Sequence, residues 1–259
     1  MLALIEQHGK NPPPLVTASA GNHGQALAYA AREAGIPLTV FVPAMAPRTK
    51  TEGIRRMGAQ LIACRDYDEA ETRAKEHAAR GHGLFVSPYW HPDVIAGAGT
   101  IGLEVLEDQP ELDAIVAPVG GGGLISGIAI AAKSSPRAPE VVGVEVEAST
   151  PFRHSLAAGR IVSIDVRPTL ADGLTGNLDP DTTTFDLVRR LVDRMTGVSE
   201  SQLHQAMAGL FREERLITEG AGATAVAAIL GSALETRGRR IAVVVSGANI
   251  DIDKLMSLI

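Results

Sequence analysis

Short runs rich in β-branched residues recur between stretches of helical spacing, and that alternation restricts the chain to parallel strands joined by helical crossovers. The first run is 15–17, followed by an alanine-rich helical stretch over 25–34 that stops at Gly35-Ile-Pro37. Runs at 38–43, 60–64 and 84–87 alternate with helical stretches at 47–57 and 68–80. Beyond them, strands are expected at 114–119, 141–146 and 240–245. Helices are expected at 99–107, 124–133, 150–158, 185–192, 201–216 and 222–233, with a turn-rich segment over 167–184. The pattern is α/β. Residues 15–92 hold four strand–helix units, enough for a small sheet of their own. No change of composition marks a linker. The domains expected are therefore a small one at 15–92 and a larger one made of 1–14 and 93–259. The opening stretch reads as the last turns of a helix, with Leu2, Leu4 and Ile5 apolar and Gly9 as its stop.

Composition narrows the function. Lys and Arg number 24 against 30 Asp and Glu, a net charge of −6, which disfavours nucleic acid or an anionic membrane as a partner. Apolar residues make up 45% of the chain, so a folded core is expected rather than disorder. No run of about 18 apolar residues is present. The start has no basic segment or cleavage site of a signal peptide. Cys64 stands alone and cannot form an internal disulfide, which fits a reducing, cytoplasmic setting.

Three loops could carry chemistry, each expected directly after a strand. Gly120-Gly-Gly-Gly123 lies between a buried strand and a helix. Consecutive glycines cost conformational entropy, but they let successive N–H groups point at one anion, aided by the dipole of the next helix. No Lys-Ser/Thr follows, so this is not the loop of a nucleoside triphosphatase. A flexible turn is the alternative. Ser19-Ala-Gly-Asn-His23 is the second loop. Ser19 or Asn22 there could simply cap a helix, or the loop could form a second anion pocket. The third, Ser246-Gly-Ala-Asn249, ends the last strand, and carboxyl ends of parallel strands are where ligands bind in open α/β sheets. The scattered histidines and single cysteine form no readable zinc site, and Gly-x-Ser-x-Gly is absent.

Taken in order and spacing, these loops, with Thr169-Leu-Ala-Asp-Gly-Leu174, Glu219-Gly-Ala-Gly222 and the stretch 47–59, resemble the fold-type II pyridoxal-phosphate enzymes. Within that group the chain is most similar to the threonine/serine dehydratases and serine racemase. The resemblance implies a tryptophan-synthase-β-like fold of two open, mostly parallel sheets, with the site in the cleft between two domains. It implies pyridoxal 5'-phosphate as cofactor, a small amino-acid substrate and a homodimer or homotetramer. Gly120, Gly121, Gly122 and Gly123 would cradle the cofactor phosphate. Asn22 would meet the ring's 3-oxygen, Ser246 the ring nitrogen, and Glu219 would lie near the ring. Ser19, Ala20, Gly21, Asn22 and His23 would line the substrate carboxylate.

Three departures qualify that picture. Racemases carry a second serine where Ala20 stands, and an alanine cannot move a proton, so dehydration is expected over racemisation. Relatives bind a divalent cation beside the strand holding Glu145. Glu145 and Ser149 match two of its ligand positions, but Pro151 replaces an acid, so no metal is expected. The family's Schiff-base lysine sits in a Ser-x-Lys-x-Arg-Gly-Ala context, which the resemblance implies just upstream of Met1. None of Lys10, Lys50, Lys75, Lys133 and Lys254 has that context. The expected activity is α,β-elimination of water from L-threonine or L-serine, impaired in these residues alone. The alternatives are a non-catalytic binder of pyridoxal phosphate or another phosphometabolite, or a different fold-type II lyase or racemase.

Overall fold

The computed structural model describes residues 1–9, 11–46 and 48–258. Lys10, Pro47 and Ile259 lie outside the described residues, and with them the start of the helix expected at 47. The chain divides into two compact units, Met1–Asp93 and Val94–Ile259. In this division residues 1–14, expected with the larger domain, fall with the first unit.

The first unit begins with α1 (Leu2–His8), which ends at Gly9 as its composition suggested. Then follow β1 (Leu15–Ala18), α2 (Asn22–Ala34), β2 (Leu38–Pro43), α3 (Arg48–Arg56), β3 (Gln60–Cys64), α4 (Tyr67–His77) and β4 (Leu84–Phe85). The sheet order is β3-β2-β1-β4, with every pairing parallel. β1 is buried at all four positions, as a strand covered on both faces must be. Strand β4 is shorter than the expected run at 84–87. The chain leaves the ladder at Val86, whose amide still bonds to the Val16 carbonyl.

Helix α5 (Pro92–Asp108) starts earlier than its glycine-rich sequence suggested and leads into the second unit. That unit contains β5 (Ala114–Pro118), α6 (Gly123–Ser134), β6 (Glu140–Val146), α7 (Pro151–Ala158), α8 (Thr184–Leu191), β7 (Arg194–Val198), α9 (Glu200–Glu214), α10 (Gly220–Leu230), β8 (Ile241–Val243) and α11 (Ile252–Met256). Its sheet, again parallel, has the order β7-β6-β5-β8. Side chains of β5 alternate between two cores. Val116 packs with Val142, Val144, Leu203 and Met207 on one face. Ile115 and Ala117 pack with Ile125, Ile128, Phe152 and Phe185 on the other. No described helix is long and apolar enough to cross a membrane.

Strand β7 is absent from the sequence-based expectation. Arg194-Met-Thr-Gly-Val198 has neither an apolar run nor clean alternation, because it is an edge strand with only Val198 fully buried. Its order comes from pairing with β6, in register from Val142↔Arg194 to Val146↔Val198.

In the second unit α6 presses backbone to backbone on α5. A Cβ at Gly127 would stand 2.5 Å from the Gly99 amide nitrogen and strike the Ile95 carbonyl. Gly209, inside α9, has nothing within 4 Å of such a Cβ. Gly127→Ala should therefore destabilise the protein by about 1–3 kcal/mol, whereas Gly209→Ala should stabilise it by roughly 1 kcal/mol. Urea unfolding of both variants checks the opposite signs.

Candidate functional site

The two sheets share one topological feature. In each, the strand preceding a candidate loop has the next strands in sequence on one side and the last strand on the other. β1 is flanked by β2 and β4, and β5 by β6 and β8. Such a reversal opens a crevice at the carboxyl ends of the strands, where ligands of open α/β sheets bind. Gly120–Gly123 follows β5 and Ser19–His23 follows β1, so each loop stands at the switch point of its own sheet.

In the second unit, four sequence segments converge there. The pairing Val116↔Val243 brings the residues after β5 and β8, Ser246 among them, out at the same edge of the sheet. Ser246 is exposed. Residues 170–174 close on the loop from another side: a Cβ at Gly120 would lie 3.0 Å from the Leu174 Cα. The amide of Glu219 donates to the Gly247 carbonyl at 3.0 Å. A Cβ at Gly222 would come within 2.8 Å of the Gly247 nitrogen. Glu219 itself is buried, at the N-terminus of α10.

The loop conformation is held from below. Gly122, the residue before α6, has φ +85° and ψ −2°, the left-handed region that glycine adopts without strain. A side chain there is excluded twice over, because its Cβ would meet Phe152 Cζ at 2.5 Å and Thr184 Cβ at 3.1 Å. The hydroxyl of Thr184 donates to the Gly121 carbonyl at 2.8 Å and is itself bonded to Thr182. No side chain caps α6. The first-turn N–H groups of this 12-residue helix thus keep their affinity for an anion. The hydroxyl of Thr218 and the amide nitrogen of Asn249 are buried and find no hydrogen-bond partner among the described residues. Both belong to the segments that converge on this edge.

In the first unit, Ser19 is buried, and its hydroxyl accepts from the amides of Gly21 at 3.3 Å and Gly24 at 3.2 Å. It thus acts as the cap of α2 allowed by the sequence. Ala20 and Gly21 are half-buried and Asn22 is exposed at the first turn. Thr17 ties β1 to the neighbouring strand through the Val86 carbonyl at 2.7 Å. His23 hydrogen-bonds to the backbone of Val86, and its Nε2 is buried with no partner among the described residues. Burial, with His91 nearby, brings its imidazole down to about 4. The ring is therefore neutral near pH 7 and cannot contribute a positive charge to anion binding.

Glu145 lies fully buried on β6, with its carboxylate accepting from the amides of Phe152 at 2.8 Å and Arg153 at 3.1 Å. Desolvation pushes its carboxyl up to about 7 despite those bonds and the nearby Arg153 and His154. No cluster of three or more His, Cys, Asp or Glu able to hold a metal exists among the described residues. Lys133 closes α6 at the end opposite the glycine loop and pairs with Asp193 at 2.6 Å. Lys75 pairs with Glu71 and stacks over Trp90. The bracing residues Thr184, Thr182 and Phe152 were not anticipated, since all three lie far in sequence from the loop they support.

Comparison with known proteins bears on this geometry. Residues 1–247 match the family described as pyridoxal-phosphate dependent enzyme. The chain is similar to an L-threonine ammonia-lyase of Thermotoga maritima, 42% identical over 95% of this chain and 61% of that protein. A second L-threonine ammonia-lyase, from Geobacter sulfurreducens, is 40% identical over 92% of this chain and 59% of that one. The chain thus spans about three-fifths of the length of these curated relatives. Among solved structures, maize serine racemase superposes with a TM-score of 0.86 at 33% identity, covering 98% of this chain and 78% of that one.

The His23 environment gives a pH prediction. Its folded value lies below the unfolded 6.5. Its contribution is therefore present above about pH 6.5 and is lost as pH falls toward about 4. Between about pH 7.5 and about pH 5 the wild type should lose more unfolding free energy than His23→Gln. Urea titrations at both values check this; equal losses would contradict it.

Proposed function

This chain belongs to the pyridoxal-phosphate dependent enzyme family, and from that premise we propose that it forms the cofactor- and substrate-holding part of an ammonia-lyase acting on L-threonine or L-serine. The reaction is α,β-elimination of water from the amino acid, after which the released enamine takes up water and hydrolyses to a 2-oxo acid and ammonia. One observation supports the reading most: a side-chain-free loop, unable to accept a Cβ at Gly122, at the N-terminus of an uncapped helix. The family's cofactor ends in a phosphate, and these residues fit it. Gly120–Gly123 would take the phosphate through their amides. Ser246 would meet the ring nitrogen with a neutral hydroxyl. When bound, the cofactor supplies an electron sink for charge left at the substrate α-carbon. Without a carboxylate partner the ring nitrogen is not forced to stay protonated, which favours prompt elimination over a long-lived carbanion.

The loop after β1 would take the substrate carboxylate. With the Ser19 hydroxyl spent on Gly21 and Gly24, the amides at the start of α2 are the donors that would take it, with the exposed Asn22 beside them. Ala20 carries no proton to deliver, so racemisation is not expected. Removal of the α-proton needs an amine, and none of the five lysines has the sequence context of the family's Schiff-base lysine, Lys133 and Lys75 being paired with Asp193 and Glu71. We therefore expect the 259-residue chain, given pyridoxal 5'-phosphate and L-threonine, to release 2-oxo acid slowly and to be accelerated by an added alkylamine. Release no faster than with free cofactor, at any amine concentration, would favour a phosphate-binding module without lyase chemistry.

A further inference from the structure

Helix α7 begins Thr150-Pro151-Phe152-Arg153, and its own N-cap residue does not cap it. The Thr150 hydroxyl is engaged with His154 at 3.1 Å. Pro151 has no N–H to satisfy. The two amides left over, those of Phe152 and Arg153, are both taken by Glu145, reaching from the adjacent strand β6. A carboxylate in that position satisfies two orphan donors and meets the positive end of the helix dipole.

Phe152 is fully buried, and its ring tip stands where a side chain at Gly122 would go. Glu145, the first turn of α7, Phe152 and Gly122 therefore form one continuous support. We propose that Glu145 is a positioning residue for the glycine loop, acting through α7 and Phe152, and that it takes this place instead of serving as a cation ligand. The cation's ligand set is incomplete here: each carboxylate oxygen already accepts an amide, Pro151 offers no ligand side chain, and the Ser149 hydroxyl accepts from the Gly176 amide at 3.3 Å. In this chain the N-terminus of a helix does what a bound cation would otherwise do, holding a buried carboxylate in one orientation.

The inference rests on the cradle reading above, and the test separates the two. Affinities for pyridoxal 5'-phosphate and for pyridoxal, which lacks the phosphate, are compared by fluorescence titration, with EDTA or with magnesium. The wild type should prefer the phosphorylated form and be indifferent to both additions. Glu145→Gln should lose about tenfold of that preference while its affinity for pyridoxal stays unchanged. Adding Thr150→Asp, a cap supplied from within α7, should restore most of it. Phe152→Leu, with Glu145 intact, should lower the preference from the other end of the support and so keeps the test available if Glu145→Gln does not fold. A preference unchanged in Glu145→Gln or in Phe152→Leu, no recovery in the double variant, or a wild-type affinity lost in EDTA and regained with magnesium would overturn the positioning role. A wild type without any preference for the phosphorylated form would overturn the cradle itself.

Discussion

The contact between the Phe152 ring and the backbone at Gly122 is the constraint on which the second unit's site depends. It makes that position a glycine for two independent reasons, a left-handed backbone and the absence of room. Once side chains are excluded, the amides at the start of α6 are the polar groups that remain to meet a ligand. The apolar core therefore shapes a polar site. Packing of Phe152 on one face of the sheet fixes the backbone of the loop at the sheet's carboxyl edge. Thr184 adds a hydrogen bond to the Gly121 carbonyl from α8, so the loop is held by both α7 and α8.

The same arrangement of strands serves both units. Each has a four-stranded parallel sheet whose order reverses beside the strand leading to a candidate loop. Each loop opens onto the N-terminus of a helix, with Ser19 accepting from the first turn of α2 and no side chain capping α6. The electrostatics differ. In the first unit Ser19 already satisfies two amides and His23 is neutral. In the second, no side chain caps the helix that follows the glycines, as the proposed phosphate site requires.

Much of this was legible in the sequence because glycine has few structural uses in succession. The loops at 19–23, 120–123 and 246–249 stood out by their place after expected strands, the segments at 169–174 and 219–222 only through the family resemblance, and those of the second unit converge on one edge of its sheet. What was not legible depends on tertiary contact. Strand β7 has no apolar periodicity because it is an edge that β6 organises. The early start of α5 at Pro92 was hidden by Gly97 and Gly99, the latter sitting where α6 comes close. The roles of Phe152 and Thr184 follow from a meeting of α7, α8 and the loop. Glu145 was noticed for a different reason, as a possible cation ligand, and its occupation by two amides could only be seen once α7 was in place.

The central claim is that backbone amides of Gly120–Gly123 hold a phosphate. Titrating the isotope-labelled protein with inorganic phosphate and following backbone amide resonances tests it most directly. The account predicts large downfield shifts confined to residues 120–125, saturating with one binding constant. Shifts centred elsewhere, or none while pyridoxal 5'-phosphate still binds, would contradict it.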